Sequence, residues 1–288
     1  MNAETPILIS VEDDALVGIV HPGVQRAKTG VVIVVGGPQY RVGSHRQFLL
    51  LARDLAAAGI PALRFDYRGM GDSDGDFTGF ETVNHDIRAA IDAFMDVMPG
   101  LERVVLWGLC DAASAILFYA HGDPRVAGLA LLNPWVRTNE GLARARIKHY
   151  YTARLFEREF WAKLATGKFD FLGSIRGLAA NATSALKPKS RGPEDNSSQG
   201  DTASELPLPE RMAAGLDAYP GPALFIISGN DLTAREFEDA AKSSPRWRKI
   251  LAAPRITRRN FPQADHTFSR RDWRDQVARW TREWVEGL

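Results

Sequence analysis

The residues able to do covalent chemistry are few, and one of them is unique. The chain contains a single cysteine, Cys110, inside Gly108-Leu109-Cys110-Asp111-Ala112. The β-branched run Val104-Val105-Leu106-Trp107 leads into it, and Ala112 to Ala120 has helical composition. Strand, Gly-x-Cys-x-Ala, helix is the setting of a nucleophile carried on a tight, strained turn. The turn demands small residues two positions to either side, which Gly108 and Ala112 supply. It lifts the thiol above the sheet, next to a helix N-terminus whose field favours thiolate. The N–H of Asp111 then points at the substrate oxygen. A lone cysteine is commonly an inert core residue. The position of this one, after the third buried strand, favours catalysis. Ser114 is the rival hydroxyl, but it falls inside the following helix.

A cysteine nucleophile needs a base, and the base needs an orienting acid. Asp231 stands in Ser228-Gly229-Asn230-Asp231, just past the strand-like run Ala223 to Ile227. His266 stands in Gln263-Ala264-Asp265-His266-Thr267-Phe268, before the last helical stretch. The order nucleophile, acid, base matches that of one large class of hydrolytic triads. A turn or cap role is the simpler reading for Asp231, and a surface histidine for His266. Their joint order and placement favour acid and base. Asp265 is the alternative acid, poorly placed because it adjoins His266.

The second oxyanion donor belongs on the loop after the first long buried strand, Gly36-Gly37-Pro38-Gln39-Tyr40. Glycine lets backbone approach a substrate closely. Gly37 N–H is the first choice and Gln39 the second, since Pro38 has no N–H. The loop Asp66-Tyr67-Arg68-Gly69-Met70-Gly71-Asp72-Ser73 reads as a structural brace. No G-x-x-x-x-G-K-[ST] occurs, and no G-x-G-x-x-G opens a helix after a strand. The expectation is therefore no nucleotide cofactor and no metal.

These residues require elements to hold them. Ile7 to Val20 reads as a hairpin turning at Glu12-Asp13-Asp14. The runs Val31–Val35, Ala62–Phe65, Val104–Trp107, Val126–Leu132 and Ala223–Ile227 read as buried strands. Amphipathic stripes alternate with them: Phe48, Leu51, Ala52 and Leu55, then Val83, Ile87, Ala90, Ile91 and Phe94. Trp273, Val277, Trp280 and Trp284 form a last stripe that reads as core packing. The alternation predicts an α/β fold with a mostly parallel open sheet flanked by helices. It breaks between 137 and 220. The expected organisation is a core of residues 1–136 and 221–288 with a helical cap insertion at 137–220, including a mobile loop at 186–209 rich in Pro, Ser, Gly, Asp and Glu.

Composition bounds the rest. With 288 residues, 45% hydrophobic and 25% charged, the chain has the balance of a soluble globular protein. A net charge of +1 gives no case for nucleic-acid binding. One cysteine excludes an internal disulfide and a Cys-rich metal site. The start, Met1-Asn2-Ala3-Glu4-Thr5-Pro6, lacks a basic region followed by an apolar stretch, and no apolar run reaches the roughly 20 residues that span a bilayer. A reducing cytoplasm is the expected location.

Asp66-x-Arg68-Gly69-x-Gly71-x-Ser73, the Cys110 turn, Asp231 and His266 together resemble the α/β-hydrolase superfamily over essentially the whole chain. Three longer blocks, Gly36 to Arg46, Gly108 to Ser114 and Asn133-Pro134-Trp135-Val136, resemble the exosortase A system-associated hydrolase 1 family. That resemblance implies a bacterial hydrolase linked to exopolysaccharide biosynthesis and protein sorting, and it names no substrate. The blocks also supply candidate substrate-binding residues: Tyr40, Arg41, His45 and Trp135.

The segment Arg137 to Arg191 is basic, with Arg144, Arg146, Lys148 and Arg154 among its cations, and it interleaves aromatics such as Tyr150, Tyr151 and Trp161. A solvated lid face is the simpler reading. A surface for an anionic partner is the sharper one. The expected function is hydrolysis of an ester or thioester, on a small or carrier-bound acyl substrate, through a Cys-His-Asp triad. Acyl transfer to a sugar or amine is the alternative within catalysis. A hydrolase-like scaffold kept for binding is the alternative outside it.

Overall fold

The computed structural model describes residues 4–24, 27–37, 39–137 and 206–288. The chain divides into two units, Met1–Val136 with Pro207–Leu288, and Arg137–Leu206. The basic aromatic segment, and the expected mobile loop up to residue 205, lie outside the described residues.

The first unit is built on an eight-stranded sheet in the order β1-β2-β4-β3-β5-β6-β7-β8. Strands β1 (Thr5–Val11) and β2 (Asp14–His21) form the expected hairpin, with Glu12 at φ 54 in its turn. Both β1–β2 and β2–β4 are antiparallel. Strands β3 (Thr29–Val34), β4 (Ala62–Phe65), β5 (Arg103–Leu109), β6 (Val126–Leu132) and β7 (Ala223–Ser228) run parallel in the centre. Their near-continuous Val, Ile and Leu content follows from burial on both faces. Each such side chain contributes about 1.5–3 kcal/mol by leaving water.

Helices α1 (Gln47–Ala57), α2 (Asn84–Val97), α3 (Asp111–Tyr119), α4 (Leu208–Ala218), α5 (Leu232–Ser243), α6 (Pro245–Leu251) and α7 (Arg271–Glu286) make up the flanking layers. The first two bury the expected stripes. In α7, Trp273 and Trp280 pack their edges on Phe261, at centroid distances of 6.2 and 5.4 Å. Trp107 Nε1 of β5 donates to Thr281 Oγ1 of α7 at 3.3 Å. Among the described residues, no helix is long and apolar enough to cross a membrane.

Two features differ from the sequence reading. The segment 207–220, expected within the insertion, groups with the core unit. Helix α4 buries Met212, Ala213 and Leu216, and Gly215 lets its backbone sit against the carbonyl of Leu117 in α3. The second difference is β8 (Ile256–Phe261), which pairs in parallel with β7 at the sheet edge. Its Arg258, Arg259 and Asn260 are exposed, so it lacks the apolar run that marks a central strand. Charged residues on an edge strand oppose pairing with other chains.

Candidate active site

The parallel strands end on one side of the sheet, and the candidate residues sit on the loops there. Cys110 follows β5 directly and occupies the N-cap position of α3, with φ 64 and ψ −126. A positive φ at a residue with a Cβ costs of order 1–3 kcal/mol and persists only where neighbours fix it. Here the Cys110 N–H donates to Leu132 O at 2.9 Å, and the Trp135 N–H donates to Cys110 O at 3.1 Å. Ser114 is buried, and its hydroxyl donates to Trp135 O at 2.7 Å, so it braces the turn from below. The need for small neighbours is visible. A Cβ at Gly108 would stand 2.9 Å from Ala112 C and from Ala113 N. A Cβ at Gly36 would meet the Asp111 carboxylate, Leu109 O at 2.7 Å and Ala112 N at 2.8 Å.

Asp231 and His266 meet. His266 Nδ1 lies 2.8 Å from Asp231 Oδ2. The carboxylate is buried, whereas the imidazole is about one-third exposed, with side-chain accessibilities of 6% and 32%. Asp231 also caps α5, accepting from Thr233 N at 3.1 Å and Ala234 N at 3.0 Å. Cap and acid are thus one residue, and both readings of Asp231 hold at once. With Nδ1–H donating to Asp231, the Nε2 lone pair faces away, free to accept a proton. Asp265 is turned to Ser269, whose N–H (3.0 Å) and hydroxyl both donate to it. Burial pushes the Asp265 carboxyl up, but the hydrogen bonds from Ser269 and the Thr267 amide, together with nearby His45, hold it below the usual carboxylate range.

Two positioning residues were not visible as such in the sequence. Asn133, fully buried at the end of β6, donates from Nδ2 to Ser228 Oγ at 2.9 Å and to His266 O at 3.0 Å. Its Oδ1 accepts from Ser228 N at 2.9 Å, and Ser228 Oγ donates to Asp265 O at 2.9 Å. This network ties the ends of β6 and β7 to the backbone of the histidine loop. Asn230 N to Ala264 O, at 3.0 Å, and Gly229 N to Phe261 O, at 2.9 Å, complete the link between the acid and base loops. A polar residue placed immediately after a fully apolar strand is the one sequence signal that marks Asn133.

The Asp111 carboxylate lies at the same turn, where its Oδ1 accepts from Ala112 N at 3.0 Å. Burial holds this carboxyl above the usual carboxylate range, although nearby backbone amides pull it the other way. Gly37 has φ 62, which glycine tolerates.

Gln39 and Tyr40 line an open surface depression with Gly69, Met70, Gly71 and Asp72, and Cys110, Asp231 and His266 are not among its lining residues. Gln39 Oε1 accepts from Ser44 N at 2.9 Å, and Tyr40 is exposed. Arg41 is committed to carboxylates. Its N–H and one guanidinium nitrogen bond Asp66, and Nη2 lies 2.6 Å from Asp72 Oδ2. The Asp66–Ser73 loop is accordingly a brace: Asp66 is fully buried, and Ser73 Oγ donates to Asp66 O at 2.7 Å. His45 is exposed, at φ 52. Trp135 joins the elbow through its backbone.

The fold has many solved counterparts. An esterase from Pyrococcus furiosus superposes with a TM-score of 0.64 at 15% identity, covering 99% of this chain and 91% of that one. Est1E from Butyrivibrio proteoclasticus, solved with bound ferulic acid, gives 0.64 at 15% identity over 98% of both chains. An alpha/beta hydrolase from a Penicillium species gives 0.62 at 16%, over 99% and 98%. At such identities the likeness speaks for the fold alone. No curated protein matches the sequence. Residues 31–280 match the alpha/beta hydrolase family over most of the chain. The chain therefore belongs to the alpha/beta hydrolase family.

Proposed function

We propose that the protein hydrolyses an ester or thioester through an acyl-enzyme on Cys110, with His266 as base and Asp231 as the acid that orients it. The observation that carries the reading is the 2.8 Å contact between His266 Nδ1 and a buried Asp231, on the loops after β8 and β7, on the same side of the sheet as the strained Cys110 turn after β5. In the first step the sulfur attacks the acyl carbon. The C–O or C–S bond to the leaving group breaks, and the thiol proton passes through His266 Nε2 to that group. In the second step His266 deprotonates water, which attacks the thioester and releases Cys110. Asp231 stabilises the imidazolium that exists between these transfers. General acid–base transfer of this kind contributes about 10²–10⁴-fold. The Gly37 and Asp111 amides are the oxyanion donors in this reading, with the Gln39 amide as the alternative.

Tyr40, Gln39 and Trp135 border the acyl or leaving group, while Arg41 shapes the wall through Asp66 and Asp72. The long sequence blocks around Gly36–Arg46 and Asn133–Val136 support a role alongside bacterial exopolysaccharide and exosortase systems. A reducing cytoplasm keeps the single thiol usable. The basic, aromatic composition of the insertion suits an anionic carrier or acyl donor. If so, kcat/KM falls steeply with added salt, and a flat salt response removes that part of the proposal.

A panel of acyl thioesters and oxyesters tests the reading. At least one member should turn over, with Cys110→Ala losing more than about 10³-fold. Turnover that survives this substitution overturns it.

A further inference from the structure

We propose that Asp265 is the positioning residue of the histidine loop: its carboxylate closes residues 265–269 into a ring, which fixes the backbone of His266 so that Nδ1 meets Asp231 and Nε2 is left for acyl transfer. The inference rests on the acyl-enzyme reading above. It gives a role to the carboxylate beside the triad that the triad does not use.

A histidine ring is aimed by two side-chain torsions and by its backbone, which sets the direction of Cβ. In a loop that direction is free unless the peptide groups on either side are held. Both are held here, and from other strands. The Asp265 carbonyl accepts from Ser228 Oγ at 2.9 Å, and the His266 carbonyl accepts from Asn133 Nδ2 at 3.0 Å. These bonds do not settle how the chain returns to α7. Phe268 is buried and has φ 50, in the left-handed region that a residue with a Cβ seldom adopts. Left alone, the segment would relax by swinging Phe268 to negative φ, and the peptide groups after His266 would turn with it.

The Asp265 side chain closes the segment against that swing. Its Oδ1 accepts from Ser269 N at 3.0 Å, and its other oxygen accepts from the Ser269 hydroxyl. Its carbonyl also accepts from Phe268 N, at 3.3 Å. Ser269 stands just before α7, whose Trp273 and Trp280 pack on Phe261 at the end of β8. The ring is thus fastened at both ends of the loop. One carboxylate takes both Ser269 donors, and such charge-assisted bonds are about twice as strong as neutral ones. An asparagine could keep the ring, with Oδ1 accepting from Ser269 N and its NH2 donating to the hydroxyl. Alanine opens it. A catalytic atom displaced by about 1 Å can cost about 10²-fold in rate.

Two measurements on the full chain test the assignment together: hydrolysis of p-nitrophenyl acetate, and the imidazole nitrogen NMR shifts of His266. In Asp265→Ala, kcat should fall about 10²-fold while KM changes by less than about threefold. Asp265→Asn should restore kcat to within about fivefold of the parent. An Asn variant as impaired as the Ala variant overturns the proposal, because the carboxylate would then act by its charge. An Ala variant with parental kcat also overturns it. The nitrogen shifts read the ring without turnover. They should report the Nδ1–H tautomer in the parent and in Asp265→Asn, and in Asp265→Ala a move toward the Nε2–H form that free imidazole favours in water. Shifts that are the same in all three overturn the proposal even where kcat has fallen. If the parent itself turns over no ester, the acyl-enzyme reading has failed, and the nitrogen shifts alone decide this one. Should Asp265→Ala not fold, Ser269→Ala replaces it. That variant removes one of the two bonds, so kcat should fall about threefold or more with a tautomer shift in the same direction, and no change in either overturns the proposal.

Discussion

Replacing His21 with glutamine should abolish a specific loss of stability in mild acid. His21 ends β2, is almost wholly buried, and accepts a hydrogen bond from Arg64 Nε at its Nε2, at 3.0 Å. Burial first, and the neighbouring Arg64 guanidinium second, lower its pKa from the ordinary 6.5 to about 4. Protonation would remove the acceptor that Arg64 needs and would bury two cations side by side. The unfolded chain thus binds this proton more tightly than the folded one. The stabilisation is complete above about pH 6.5, fades as pH falls, and is gone below about pH 4. A drop from 6.5 to about 4 is worth about 3 kcal/mol. The consequence reaches the site, because Arg64 Nη1 also donates to Arg41 O, at 3.2 Å, on the loop that carries Gln39 and Tyr40. Urea unfolding at pH 7.5 and pH 4.5 measures the effect. The difference in stability between the parent and His21→Gln should shrink by about 2–3 kcal/mol on moving to pH 4.5. Parallel curves, with a constant gap between the two proteins, would refute the reasoning.

Other substitutions probe the geometry of the site. Gly36→Ala forces a Cβ against Leu109 O and Ala112 N, so it should cost about 1–3 kcal/mol and most of the activity; an active, fully stable variant would show that the elbow can move freely. Asp231→Asn keeps an oxygen to cap α5 but loses the charge facing His266, so esterolysis should fall by about 10²-fold or more with little change in unfolding. Asp231→Ala should lose the cap as well, at about 0.5–2 kcal/mol, and the contrast between the two variants in urea separates the roles. Asn133→Ala strands the Ser228 N–H and releases the His266 carbonyl, costing about 1–3 kcal/mol for the unsatisfied buried group. Its kcat should drop with KM nearly unchanged, and a variant altered only in KM would argue that Asn133 touches substrate instead.

The elbow was legible because its constraints are local. A β-branched run, then glycine and alanine two positions either side of the nucleophile, leave little else that Gly108–Ala112 can form. The acid and base loops were legible from their place after strand and before helix. What escaped the sequence was set by contacts between distant segments. Strand β8 is an edge, and the exposed Arg258-Arg259-Asn260 erase the periodicity that marked its neighbours. Asn133 and Ser228 acquire their role only because β6 and β7 end side by side. The spacing around Cys110 placed the Asp111 amide near the thiol. It said nothing of the side-chain rotamer that brings the carboxylate to the Ala112 amide.

The central claim is that Cys110 carries the acyl group. Brief incubation with a reactive acyl thioester, quenched in acid and read by intact mass, tests it directly. The expected result is one acyl mass increment, mapped to the peptide containing Gly108–Ala112, absent in Cys110→Ala and long-lived in His266→Ala if any forms there. Turnover without an adduct that survives unchanged in Cys110→Ala, or an adduct on another residue, would contradict it.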